Sequence, residues 1–144
     1  MKNLWIYLCC CTALFGCRKA DEVDPIPVLT FEAISSTDVV QFENLIVLTL
    51  GYTDQDGDLG QVDPDEHTLR IKDDRLEEYD WYHIPPLTPN LEQLNISGTF
   101  EVELTPLFLL GSGSSESTRF TVQIQDRAGH WSNPVLTPEV TIHE

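Results

Sequence analysis

Most of this chain consists of short segments in which apolar and polar residues alternate. The clearest runs from Thr118 to Gln125, where Phe120, Val122 and Ile124 are separated by polar residues. Side chains of a β-strand point alternately to the two faces of a sheet, so this pattern predicts strands with one buried face. Beyond a short helical turn predicted at 91–94, no segment after residue 27 has the apolar spacing of an amphipathic helix. The sequence therefore predicts an all-β domain.

Seven segments are predicted as strands: 28–35, 44–52, 68–72, 78–84, 99–105, 118–125 and 135–142. Segment 44–52 is apolar on both faces, which indicates a central strand. Segment 135–142 contains Pro138, which indicates an edge. The apolar run at 107–110 is interpreted as a further buried strand, with an exposed partner patch as the alternative. About seven short strands separated by turn residues are typical of an Ig-like (cadherin or fibronectin-type) β-sandwich.

The aromatic residues of segment 78–84 allow two interpretations. Tyr79 and Trp81 lie two residues apart and so share one strand face, whereas Tyr82 lies on the other. Packing of Tyr79 and Trp81 in the core is the favoured interpretation, because large aromatic side chains dominate protein interiors. The alternative is an exposed platform for a sugar.

The N-terminus has the features of a secretory signal. Lys2 precedes an apolar run from Leu4 to Phe15, which is shorter than the ~20 residues that span a bilayer. The following Gly16-Cys17 resembles the lipobox of bacterial lipoproteins, with Phe15 where a small or aliphatic residue is usual. That resemblance implies a signal peptide at 1–16, lipidation of Cys17 and a membrane anchor. Residues 17–27 are then a tether and 28–144 the domain. A plain secretory signal is the alternative.

The tether and the overall charge restrict the compartment and the partners. Residues 18–22, Arg-Lys-Ala-Asp-Glu, resemble the surface-export signal of Bacteroidota lipoproteins, with an ordinary solvated tether as the alternative. Cys9, Cys10 and Cys11 would leave with the signal, so no disulfide is expected and the core must stabilise the domain. The formal net charge of −16 argues against nucleic-acid binding.

An acidic, glycine-containing turn follows the predicted central strand. Asp54, Asp56 and Asp58 occupy alternate positions next to Gly57 and Gly60. Alternating carboxylates wrapped by a tight turn can supply several of the oxygens that Ca²⁺ requires. The segment resembles the Asp-x-Asp-Gly-Asp turn of cadherin-like bacterial surface repeats, some of which bind calcium. The alternative is a turn whose carboxylates cap their own backbone, with Arg127 as counter-charge.

A second turn is expected close to the first. In a sandwich, the loops after 44–52 and after 118–125 lie at the same end, which brings Asp126, Arg127 and His130 near the three carboxylates. Asp126 is therefore a fourth candidate metal ligand. The segment from Asp126 resembles the penultimate loop of bacterial Ig-like surface domains. In that reading Asp126 caps the turn, Gly129 has a positive φ, and Trp131 packs on the end of the sandwich. A binding role for Trp131 is the alternative.

The sequence carries no motif of a known catalytic chemistry. The histidines lack a zinc-protease spacing, and there is no Gly-x-Ser-x-Gly elbow. The chain as a whole resembles a small Bacteroidota lipoprotein, which implies an outer-membrane location in the cell envelope and no particular activity. We expect a non-catalytic, lipid-anchored binding or structural module, stiffened by calcium, whose partner is a protein or a glycan. The alternatives are an accessory subunit of an envelope complex and a metal-dependent enzyme acting on an envelope polymer.

Overall fold

The computed structural model describes residues 23–88 and 95–144. This part of the chain is all-β, with ten strands in three sheets and no helix. It therefore has no helix that could cross a membrane. The predicted signal peptide at 1–16, Cys17 and the predicted helical turn at 91–94 lie outside the described residues.

The strands, numbered in chain order, are β1 (Val28–Ile34), β2 (Asp38–Val40), β3 (Val47–Asp54), β4 (Leu69–Asp73), β5 (Asp80–Tyr82), β6 (Ile96–Glu103), β7 (Ser115–Thr118), β8 (Phe120–Ile124), β9 (Val135–Leu136) and β10 (Val140–His143). Their orders in the three sheets are β1-β3-β6, β2-β10-β7 and β5-β4-β8-β9. All neighbours are antiparallel except β10 and β2, which run parallel.

All three sheets contribute to one apolar core, which makes the domain a β-sandwich. Leu48 and Leu50 of β3, Val122 of β8 and Ile142 of β10 are all fully buried within it. β3 lies between β1 and β6, so the prediction of a central strand at 44–52 is confirmed. Asn133 connects β1 to the chain before β9. Its side-chain oxygen accepts a hydrogen bond from the backbone N–H of Leu29, and its side-chain nitrogen donates one to the carbonyl of Leu29.

Two predicted strands are each divided between two sheets. Segment 118–125 is interrupted at Arg119, so that β7 and β8 belong to different sheets. Segment 135–142 is interrupted at Pro138. β9 forms the predicted edge, but β10 lies between β2 and β7 in the middle of a sheet. A proline cannot donate a ladder hydrogen bond, and here the chain changes sheets around it.

The prediction of a buried strand at 107–110 is wrong. Leu107 is buried, but Phe108 and Leu110 are more than two-fifths exposed, and the segment forms no strand. Its backbone forms hydrogen bonds outside any sheet. The carbonyl of Leu107 accepts one from the backbone N–H of Phe42, and the N–H of Leu110 donates one to the Glu116 carboxylate. The apolar run supplies one core side chain and an exposed surface.

The favoured interpretation of Tyr79 and Trp81 is also wrong. In the register of β4 and β5, Tyr82 lies opposite the buried Leu69, and Trp81 lies opposite Arg70. Tyr82 therefore packs against the core, whereas Trp81 is 46% exposed on the outer face. Alternation divides the aromatic residues between two faces but does not say which face is inside.

A largely buried ion-pair network links the end of β4 to β7, which belongs to another sheet. The guanidinium of Arg75 donates to the Asp73 carboxylate, at 2.6 Å from Nη2, and to Glu116 Oε2, at 2.8 Å from Nη1. It also donates to the carbonyl of Phe108, and the hydroxyl of Thr118 donates to Asp73. Hydrogen bonds from Arg75 and Thr118 hold the pKa of Asp73 below its usual value, although its burial acts in the opposite direction.

Candidate metal centre

The acidic turn, residues 54–60, continues directly from the central strand of the first sheet. Asp54 is the last residue of β3, and the chain then turns through Gly57 and Gly60, whose φ values are 68° and 84°. At Gly60 a Cβ atom would lie 2.2 Å from the carbonyl oxygen of Pro85, so only glycine fits there. Leu59 is fully buried in the core and holds the turn against the sandwich.

The turn brings its three carboxylates into one cluster. One oxygen from each of Asp54, Asp56 and Asp58 lies within 4.8 Å of the others. Asp54 and Asp58 are buried, at 0% and 5% exposure, and Asp56 is half-buried. The predicted grouping of these three residues is therefore confirmed, and their donor set could hold a metal ion.

One oxygen of the cluster caps the turn, as the alternative interpretation expects. Asp54 Oδ2 accepts a hydrogen bond of 2.8 Å from the backbone N–H of Asp58. The Oδ1 atoms of all three aspartates, however, are buried and have no hydrogen-bond partner within the described residues. Leaving a buried polar atom unpaired is costly, and a buried carboxylate oxygen more so. Self-capping thus accounts for one oxygen and leaves three others unsatisfied.

Burial and mutual repulsion shift the titration of the cluster. Desolvation, followed by the close approach and negative charge of the Asp56 carboxylate, raises the pKa of Asp54 to about 6. Burial and the charges of Asp126 and Asp56 raise the pKa of Asp58, whereas Arg127 and the N–H of Ala128 act in the opposite direction. In both cases the protein holds a carboxylate where its negative charge is poorly stabilised. A bound cation would supply the missing stabilisation.

The second turn lies beside the first, as predicted. Leu59 and Asp126 form an isolated β-bridge, and the N–H of Arg127 donates to the carbonyl of Asp58. The Arg127 guanidinium also donates to the carbonyl of Gly60 at 3.1 Å. Arg127 therefore fastens the acidic turn mainly through backbone carbonyls. Its charge acts on Asp58 without forming an ion pair with it.

Asp126 is close to the cluster but does not belong to it. Its Oδ1 accepts from the backbone N–H of His130 at 2.7 Å, and its Oδ2 lies 2.9 Å from Nδ1 of the same histidine. Asp126 thus caps its own turn, and Gly129 has a φ of 96°, both as predicted. The pairing with the His130 ring was not predicted, because no spacing rule distinguishes it from a solvent-exposed histidine.

Trp131 lies next to the end of β8, where it forms an isolated β-bridge with Gln125. Its ring contacts Arg70, with the guanidinium carbon 4.0 Å from the ring centroid, and Trp81, at 6.0 Å between centroids. Its ring thus covers the outer face of the β5-β4-β8-β9 sheet near the end of β8. Arg70 and Lys72, which meet the aromatic side chains there, were not singled out from the sequence. Their alternation on β4 opposite Tyr79 and Trp81 is the signal that could have identified them.

A cavity of about 140 Å³ lies on the core-facing side of the same sheet, among Ile71, Tyr82, Leu107 and Phe120. It also borders Asp73 and Arg75, whose charged groups already pair with each other. None of the three carboxylates of the acidic turn lines it. The candidate metal centre and the cavity are therefore separate.

Comparison with protein families, with curated proteins and with solved structures finds no match to this chain. The site must therefore be interpreted from its own geometry.

Proposed function

We propose that this protein is a lipid-anchored, non-catalytic module of the cell envelope whose sandwich is stiffened by calcium. The observation that supports the calcium site is the set of three unpartnered, buried Oδ1 atoms in the acidic turn. Calcium takes six to eight oxygen ligands, and carboxylates are its preferred charged donors. The bound ion would offset the burial and the repulsion that raise the pKa of Asp54. It would thereby fix the end of β3 and the loop after it.

A calcium titration of the melting temperature tests this proposal. The buried core lies between Leu29 and Ile142, so a soluble chain that begins at Asp21 retains the described fold. For the ~10⁻⁴–10⁻³ M affinity of extracellular sites, about 10 mM calcium would add roughly 1.4–2.7 kcal/mol of stability. We expect a rise of several degrees relative to chelator.

The variant Asp56→Asn should change the melting temperature differently with and without calcium. Asparagine keeps a side-chain oxygen but removes one of the clustered charges. In chelator we therefore expect a melting temperature equal to or above that of wild type, and in calcium no rise. Asp65→Asn, an exposed aspartate outside the cluster, should keep the full response. A wild-type protein that shows no calcium response would identify a self-capped turn. A response retained in Asp126→Asn would exclude that carboxylate as a ligand.

The anchor is proposed from the N-terminal sequence. Attachment by acyl chains on Cys17 predicts that Cys17→Ser abolishes labelling of the protein by a fatty acid, because serine lacks the sulfur that would carry the lipid. The measurement is metabolic labelling of cells with a fatty acid, with the wild-type protein in the membrane fraction as reference. Labelling of the Cys17→Ser protein, or an unlabelled wild-type protein, would contradict the lipoprotein assignment.

A role as an accessory subunit of an envelope complex is the second candidate. It is supported by an exposed apolar surface in which the rings of Phe42 and Phe108 are stacked, 5.7 Å apart and nearly parallel. Phe42 is 67% exposed and has a φ of 61°, which is uncommon outside glycine. Such exposed patches are typical of protein interaction sites.

An enzymatic role has the least support. A metal-dependent hydrolase needs its metal ligands beside a substrate pocket, and the acidic turn does not line the cavity. The Asp73 carboxylate at the cavity accepts hydrogen bonds from Arg75 and Thr118, which lower its pKa. It is therefore kept ionised and is unsuited to act as a general acid.

A further inference from the structure

The outer face of the β5-β4-β8-β9 sheet differs in charge from the rest of this acidic chain. The register places on it side chains that are aromatic, basic, neutral polar or aliphatic, with no carboxylate from any of its strands. We call it the aromatic–basic face; with the adjoining Tyr79 and Trp131, it comprises Arg70, Lys72, Tyr79, Trp81, Thr121, Gln123, Trp131 and Leu136. Just beyond its strands, the backbone of Asp74 bonds that of Arg119, which sets one charge of each sign side by side.

The side chain of Arg70 holds the aromatic rings of this face in place. The Arg70 guanidinium carbon lies 4.0 Å from the Trp131 ring centroid and 4.7 Å from that of Tyr79. Its Nη2 donates to Gln123 Oε1 at 2.7 Å. Trp81 then contacts both Tyr79 and Trp131, with centroids 6.4 and 6.0 Å apart. Arg70 is thus a positioning residue that holds a compact cluster of three aromatic side chains against the sheet.

The cations of the face have no acidic partners within the described residues. Neither Arg70 nor Lys72 makes an ion pair there, whereas Arg75 pairs with two carboxylates. The Lys72 ammonium lies 5.7 Å from the Tyr79 ring centroid. A chain with formal net charge −16 has many carboxylates that could have faced these cations. The face instead combines unpaired positive charge with a 46% exposed tryptophan.

We propose that the aromatic–basic face binds an anionic sugar chain. The apolar face of a sugar ring stacks on an exposed aromatic side chain, and Trp81, supported by the half-buried Tyr79 and Trp131, presents such a ring. Lys72 supplies the charge that selects a carboxylate- or sulfate-bearing sugar over a neutral one. This inference rests on the proposed role as a binding module and names the class of its partner.

The tryptophans report directly on this face. The chain has three, and Trp5 belongs to the predicted signal segment, so the tryptophan fluorescence of a chain beginning at Asp21 comes only from Trp81 and Trp131. We would titrate it in chelator with three oligosaccharides of equal length: oligogalacturonate, a sulfated galactan fragment and a neutral galactan fragment. We expect a fluorescence change with at least one anionic sugar, with an affinity roughly tenfold above that for the neutral one. The two anionic sugars distinguish carboxylate from sulfate recognition.

Variants localise the binding. Trp81→Ala should weaken it about tenfold, as the loss of a central aromatic contact does. Lys72→Gln should weaken only the anionic sugars and reduce the effect of salt on their affinity. Phe42→Ala, which removes an exposed aromatic ring elsewhere, should bind as wild type, and so should Asp56→Asn. Melting curves of each variant verify that it is folded.

Three results would overturn the inference. The first is no fluorescence change with either anionic sugar, and the second is an equal affinity for the neutral sugar. The third is a fluorescence change that depends on protein concentration in the absence of sugar, which would assign the face to a second copy of the chain. Calcium stabilisation measured on the same protein is independent of all three. Loss of sugar binding with calcium stabilisation intact rejects the partner alone, whereas loss of calcium stabilisation with sugar binding intact rejects the calcium-stiffened module.

Discussion

Replacing Arg75 with alanine is expected to lower the free energy of unfolding by about 3–5 kcal/mol, the range seen when one partner of a buried ion pair is removed. Arg75 is only 13% exposed, and its guanidinium is the counter-charge for both Asp73 and Glu116. Without it, the Asp73 carboxylate, 5% exposed, keeps only a hydroxyl and a backbone N–H as donors. Urea or thermal unfolding measures the loss.

Arg119→Ala is the matched control. Arg119 is exposed and its side chain makes no ion pair with the described residues, so its removal should change stability by no more than about 0.5 kcal/mol. If Arg75→Ala were as stable as Arg119→Ala, the network would be a surface ion pair of little energetic importance.

Acid should weaken the same network. The pKa values of Asp73 and Glu116 are lowered below their ordinary values of 3.8 and 4.5, at Asp73 by hydrogen bonds from Arg75 and Thr118 against the effect of burial, and at Glu116 first by the N–H groups of Leu110 and Gly111. The stability they contribute is complete above those values and is lost as the pH falls through the lowered ones. The difference in stability between wild type and Asp73→Asn should therefore shrink below pH ~4. The other carboxylates titrate in both proteins, so their effect on stability cancels in this difference.

The sequence predicts those parts of this molecule that depend on local pattern. The alternation of β3 and β8 identified both strands and placed the end of each to within two residues. Because those two ends share one side of a sandwich, the meeting of the acidic turn with Asp126 and Arg127 followed. Glycine at position 129 indicated a positive φ for the same local reason.

The remaining features depend on contacts between distant segments. Arg75 and Glu116 are 41 residues apart, and no periodicity indicates that they pair. The aromatic–basic face was missed because alternation gives two faces for segment 78–84, and the apolar character of tryptophan favours the buried one. Only the register with β4, which sets Tyr82 opposite Leu69, determines which face is inside.

The acidic turn depends on a core residue as much as on its carboxylates. Leu59 is fully buried, follows Asp58 directly, and its carbonyl accepts a hydrogen bond from Leu87. Leu59→Ala should therefore cost about 2–5 kcal/mol of stability, the range for buried leucines. It should also weaken calcium binding by at least about tenfold, because the turn loses the anchor that holds Asp58 in the cluster. Calorimetric titration of the folded variant measures the affinity.

Leu48→Ala separates these two effects. Leu48 is equally buried, but it lies six residues before Asp54 on β3, about 20 Å along the strand. It should cost a similar amount of stability and leave the calcium affinity unchanged. If both variants lost calcium binding together, affinity would follow global stability and the anchor would have no local role. If only Leu59→Ala lost it, a single side chain in the core would connect the packing of the sandwich to the geometry of the metal site.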